Sequence, residues 1–202
     1  MTTEDHRNEP GAQRLPLEKL NAWESLEYGM MISFGMSTFT GVEQGAGKEP
    51  SDVYCPDQLD VDQWIAVARD AGMKYAVLIT KHASGHCLWP SNHTDYHVGT
   101  SGNTADVVEA FVTACGKYGL MPGLYYCSMD NHHLFGSLTP HMTPRDQAFT
   151  TRAYHEFQSA QIRELLGMYL VAVNRGANFL LDVGPDKRGL IPESMVGALM
   201  RL

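Results

Sequence analysis

Four short apolar runs, separated by stretches with helical spacing, constrain the fold of this 202-residue chain more than any other feature. Residues 28–34 (YGMMISF), 75–80 (YAVLIT), 120–127 (LMPGLYYC) and 178–183 (NFLLDV) read as strands. Pro122 weakens the start of the third. After the first run, Asp60 reads as a helix N-cap, with Gln63 three residues on. Trp64, Val67, Ala68 and Ala71 follow at helical spacing, and Gly72 is a stop. A second helix spans about 105–118, with Val107, Val108, Phe111, Val112 and Cys115 on its apolar side; Gly119 ends it. Residues 152 to about 175 also read helical, with Phe157, Gln161, Leu165 and Tyr169 on one side. Pro192 suits the first turn of a last helix. Strands alternating with helices predict an α/β fold with a parallel sheet. A full (β/α)8 barrel needs eight strands and about 250 residues. The chain is short by both measures.

Composition removes several function classes. The net charge of −8 leaves no basic footprint for nucleic acid. No apolar run approaches the roughly 20 residues of a membrane span. The N-terminus is polar and acidic without a hydrophobic signal core, which reads at face value as cytoplasmic or else as a chain that has lost a leader. Cys55, Cys87, Cys115 and Cys127 lack a CxxC spacing and read as reduced, packed thiols. Asn92-His93-Thr94 is a glycosylation sequon by pattern only.

The second run ends abruptly in Lys81 and His82. Polar side chains at the C-terminal ends of parallel strands are how α/β sheets build sites. His82 is therefore a candidate site residue. Its spacing to His86 resembles a metal pair, but that needs a helix, and Gly85 denies one; no metal is expected. Glu43 lies in the equivalent loop after the first strand. Tyr125 and Tyr126 end the third strand, so one faces the site and the other the helix layer. Asp130, Asn131, His132 and His133 follow just beyond. Trp89 reads as an exposed-loop aromatic, either a sugar platform or a loop anchor. Asp182 is a site residue or, more simply, a turn cap. Histidine, tyrosine, tryptophan and a carboxylate on one face suit a neutral, hydroxyl-rich ligand. Phosphate is disfavoured, since no GxGxxG or GKS/T turn occurs.

Four segments carry a resemblance to a known family. They are YGMMISFGMSTFTGVEQG, LDVDQWIAVARDAGMKYAVLITKHASGHCLWPS, DVVEAFVTACGKYGLMPGLYY and RGANFLLDVGPDKRGLIPE. The chain resembles the α-L-fucosidases of glycoside hydrolase family 29. The resemblance implies a TIM-like (β/α)8 glycosidase domain and retaining hydrolysis of terminal α-L-fucose by an aspartate nucleophile and a glutamate acid/base. It implies fucosylated glycans or small fucosides as ligands, and no cofactor. His82 matches the first of two neighbouring fucose-binding histidines, Tyr125 a tyrosine of the fucose pocket, and Glu43 a loop glutamate near the sugar. Trp89 and His132 complete the expected substrate-binding set.

The departures are as specific as the matches. Ser33 stands where a fucose-binding histidine is expected, Ala83 where the second of the paired histidines is, and Gln44 at a place that is often tryptophan. The family's fourth strand carries the nucleophile. Here the chain passes from Tyr169 and Leu170 into a segment like the family's last barrel strand. The expectation is an incomplete barrel with about four strands retained. A polar tail covers 1–20 and a partial barrel 21–202, with an internal deletion near 169–170. No catalytic carboxylate is identified, so the chain is expected to be inactive or very weak. The expected sheet order is third, second, first, last strand. Open edges then favour self-association. The helix over 152–175 is expected to be the least well anchored element.

Overall fold

The computed structural model describes residues 16–135, 156–157, 159–164, 179–183, 185–191 and 196, with backbone alone for 134–135 and 179–183. The expected deletion point near 169–170, the rest of the 152–175 helix and the helix expected at Pro192 lie outside the described residues. The elements in chain order are α1 (Leu17–Glu24), β1 (Tyr28–Ile32), α2 (Met36–Thr40), α3 (Val61–Asp70), β2 (Tyr75–Lys81), α4 (Val107–Tyr118), β3 (Met121–Tyr126), α5 (Asn131–Phe135) and β4 (Phe179–Val183). A further helical stretch covers 156–157 and 159–164. The polar tail expected over 1–20 ends sooner, because α1 opens at Leu17. Its Trp23 packs on Tyr75 of β2, ring centroids 4.7 Å apart.

All described strand pairs are parallel, and the sheet order is β3-β2-β1-β4, the order expected from the sequence. Pro122 sits inside β3 rather than disrupting it. Met121 donates its N–H to Lys74 O, so by alternation the missing N–H at 122 faces away from β2 and costs no ladder bond. One face of the sheet is closed. Met30, Ile32, Ala76 and Leu78 are fully buried, together with Trp64, Ile65 and Phe111 from α3 and α4. On the other face Met31, Val77 and Ile79 are only half-buried, and Tyr125 is 37% exposed.

Both covering helices begin on aspartate caps. Asp60 Oδ1 accepts from Gln63 N at 3.0 Å, and Asp106 Oδ1 accepts from Glu109 N at 2.9 Å. Such caps contribute about 1 kcal/mol each. The Gln63 side chain does not close a capping box. It donates to Ile191 O at 3.2 Å and accepts from Ile191 N at 3.1 Å. Trp64 Nε1 donates to Gly189 O at 2.7 Å. The loop after β4 is thus fastened to α3 from two successive residues.

Candidate functional site

Three loops meet at the C-terminal end of the sheet: those after β1, β2 and β3. His82 directly follows β2, and its Nδ1 lies 3.1 Å from Glu43 O in the β1 loop. A carbonyl only accepts, so Nδ1 is the donor in this bond. The Glu43 side chain is exposed. Tyr125 is paired with Ile79 near the end of β3 and stands at the same end as His82. Burial raises its phenol pKa. Tyr126 turns the other way. It packs against the core and donates from Oη to Gln161 Oε1 at 2.6 Å.

His132, in α5, bridges two loops. Nδ1 is 2.7 Å from Gly47 O and Nε2 is 3.1 Å from Asp95 Oδ1. Both partners are acceptors, so each contact is a hydrogen bond only while the nitrogen facing it carries its proton. The ring stacks on Tyr96 with centroids 4.4 Å apart and planes 16° from parallel. The bond from His132 is the first cause holding the Asp95 carboxyl below its usual range.

His86 is buried and turns Nε2 to Ser101 Oγ at 2.8 Å. Burial first, then His97 and His132, push its pKa down to about 3, so the ring is neutral. It belongs to the aromatic packing between Tyr54 and Tyr96.

Trp89 corrects an expectation. It is not an exposed-loop aromatic: only 1% of its surface is accessible, and its Nε1 donates to Glu164 Oε2 at 3.1 Å. An indole with both faces in the core and its one donor spent offers no platform to a sugar. The cause is the helix over 159–164, which covers the loop that follows β2. Asp182 falls inside β4, paired with Met31 in the backbone register. Cys87 and Cys115 are buried, but Cys55 is exposed; all four cysteines are free thiols.

Several structuring residues gave little sequence signal. Lys81 Nζ lies 3.2 Å from Asp130 Oδ2 and 3.0 Å from Met129 O, 4.6 Å above the Tyr126 ring. Glu164 accepts from Trp89, from Ser91 Oγ at 2.7 Å and from Asn92 N at 3.0 Å, beside His93. Burial pushes its carboxyl up, but these bonds prevail and hold it below the usual carboxylate range. Phe157 stacks on His133 at 3.7 Å. Phe157, Gln161 and Glu164 fall at i, i+4 and i+7, one face of the helix. The described part of this helix is anchored at three points. The spacing of Phe157 and Gln161 was visible in the sequence; their partners were not.

A family model for alpha-L-fucosidase matches residues 13–172. The chain is 34% identical over 159 residues to alpha-L-fucosidase 1 of Arabidopsis thaliana, covering 77% of this chain and 29% of that protein. Among solved structures, it is 26% identical to a family 29 α-L-fucosidase of Bacteroides thetaiotaomicron, with a TM-score of 0.59, covering 73% of this chain and 38% of that one. The fold is also like that of α-L-fucosidase isoenzyme 1 from Paenibacillus thiaminolyticus, at 18% identity and a TM-score of 0.73, covering 91% and 74% of the two chains. The chain spans less than a third of the length of the curated plant relatives it matches.

Proposed function

This chain belongs to the α-L-fucosidase family of glycoside hydrolases, and on that premise we propose that it binds terminal α-L-fucose at the C-terminal end of its sheet without hydrolysing it unaided. His82, Tyr125, Glu43 and His132 form the rim of that site, and Trp89 supports it from the core. The observation that carries the reading is the 3.1 Å bond from His82 Nδ1 to Glu43 O, which joins the β1 and β2 loops and leaves Nε2 uncommitted to that bond. The half-buried face of Met31, Val77 and Ile79, ending in Tyr125, supplies apolar surface for the C–H patches of a sugar.

Retaining hydrolysis needs two carboxyl groups about 5 Å apart across the scissile bond. Among the described side chains near this end, Asp130 is committed to Lys81 and Asp95 to His132, while Glu49 accepts the N–H groups of Ala46 and Lys48. Glu43 has no carboxylate partner of the required kind in this set. The domain reading follows: a partial (β/α) barrel over 21–202, shortened near 169–170, with the order β3-β2-β1-β4 supporting retention of the first three units and the last strand.

The test pairs a binding and a rate measurement. L-Fucose binding seen by calorimetry and lost in His82→Ala, with no release from an aryl α-L-fucoside above background, is the expected result. Turnover that disappears in His82→Ala shows instead that a carboxylate assigned elsewhere does the chemistry. Absence of binding removes the sugar-site reading.

A further inference from the structure

Of the rim residues proposed to hold a sugar, Glu43 and His82 sit on the loops after β1 and β2, while Tyr125 lies in β3 and His132 in α5; a buried charge pair links β2 to the start of α5. Lys81 and Asp130 have side-chain exposures of 0% and 2%. Burying two charges costs several kcal/mol per ion before their attraction and hydrogen bonds are counted, so fold stability alone explains such a pair poorly. What the pair does is visible in its connections. Lys81 is the last residue of β2, immediately before His82. Asp130 Oδ1 accepts from His133 N at 2.8 Å, which fixes the start of α5. From α5, Asn131 N donates to Ala83 O and His132 N to Ser84 O, in the β2 loop. Asn131 Nδ2 donates to Gly45 O at 2.8 Å and His132 Nδ1 to Gly47 O, in the β1 loop.

Two glycines in different loops record the same docking. A Cβ at Gly47 would lie 2.3 Å from His132 N, and one at Gly85 would lie 2.3 Å from Asp130 Oδ1. Both loops have given up a side chain where α5 and its capping carboxylate approach.

We infer that Lys81 and Asp130 are positioning residues of the sugar site: their buried ion pair seats α5 against the β1 and β2 loops, holding His82, the Glu43 loop and His132 in one rim. The inference rests on the sugar-binding reading above, for which it supplies the preorganisation a rim built on loops requires. Neither residue touches the ligand. Lys81 fixes the strand end that precedes His82, and Asp130 fixes the helix that carries His132.

The test uses Asp130→Asn, which keeps an acceptor for His133 N but leaves Lys81 without a counterion, and Lys81→Met, which keeps the stem and removes the charge. Should either fail to fold, the double variant carries the test, because removing both charges together spares the core an unpaired ion. The readout specific to positioning is the nitrogen-proton NMR signal of the His132 ring. The wild type is expected to show a His132 Nδ1 proton protected from water exchange by Gly47 O. The folded variants are expected to lose that protection and to weaken L-fucose binding about tenfold. Asp130→Glu, which keeps the charge, is expected to recover part of both. Folded variants with wild-type His132 signals overturn the inference. A wild type that shows the protected proton but binds no fucose defeats the sugar-site reading and leaves the seating of α5 by Lys81 and Asp130 to be decided by the NMR arm.

Discussion

The indole of Trp89 donates its Nε1 hydrogen to Oε2 of Glu164 at 3.1 Å, across 75 residues of chain. The bond lies where the loop after β2 meets the helix over 159–164, and Ser91 and Asn92 add their own donors to the same carboxylate. Glu164→Gln replaces one acceptor oxygen by an amide that faces these donors. Leaving a buried donor unmatched costs about 1–3 kcal/mol. The expected outcome is a loss of about 2 kcal/mol in urea denaturation, with a red-shifted tryptophan emission as Trp89 opens to solvent. An unchanged midpoint would show that the helix is held elsewhere.

The same carboxylate gives the stability a pH dependence of defined sign. Its pKa in the folded chain is below the ordinary value of 4.5. A depressed carboxyl contributes stability that is fully present above the ordinary value and is lost as pH falls through the folded value. Wild type is therefore expected to lose stability below about pH 4.5 more steeply than Glu164→Gln. Thermal melts of both proteins across that window check it. Parallel curves would mean that other carboxyls carry the acid sensitivity.

Much of the sheet was legible in the sequence, because a parallel α/β fold writes each unit locally. Asp60 and Asp106 mark helix starts, Gly72 and Gly119 mark stops, and the apolar runs between them are the strands. The run β3-β2-β1 followed from chain order; the place of β4 beside β1 followed only from the resemblance to a barrel whose last strand pairs with its first. The site was less legible, because its bonds run between units. Nothing near Trp89 in sequence announces Glu164, and without that partner a Trp in a polar loop reads as exposed. Gln63 likewise reads as half of a capping box until Ile191, 128 residues on, claims both ends of its amide. Asp130 looked like one polar residue among four; Gly85, which makes room for it, was the available signal.

Gly85 gives a direct test of that signal. Its φ of 98° is a left-handed conformation that side chains rarely adopt, and a Cβ there would collide with Asp130. Gly85→Ala is expected to cost about 3 kcal/mol, since strain and the displaced carboxylate add. A thermal melt measures it. Gly116→Ala, at a helical position where an added Cβ meets nothing within 4 Å, is the control and is expected to be neutral or slightly stabilising.

Trp64 fastens the other end of the chain. Its Nε1 bond to Gly189 O connects α3 to the loop after β4, and the ring itself is fully buried. Trp64→Phe keeps most of the apolar volume and removes the donor. The expected cost is about 2 kcal/mol, with faster amide hydrogen exchange in β4 than in β2. Equal exchange in the two strands would show that pairing with β1 holds β4 without the clamp.

The last expectation concerns association. Among the described residues β3 pairs only with β2, and β4 only with β1. The face that carries Met31, Val77 and Ile79 is half-buried, whereas the opposite face is closed by helices. A complete barrel removes strand edges by joining its first and last strands into a closed ring. An open parallel sheet keeps two edges with rows of unpaired N–H and C=O groups, and such edges template pairing with other chains. Pro122 blunts the outer edge of β3 at one position only. We therefore expect self-association that grows with concentration. Size-exclusion chromatography with light scattering should show species heavier than the 22.4 kDa monomer. A second proline at Gly123 or Leu124 would remove a further N–H; the one that donates away from β2 should suppress association with little loss of stability, whereas the one that donates to β2 should destabilise the sheet. A clean monomer with one sharp melting transition across the concentration range would show that these edges are covered and would end this expectation.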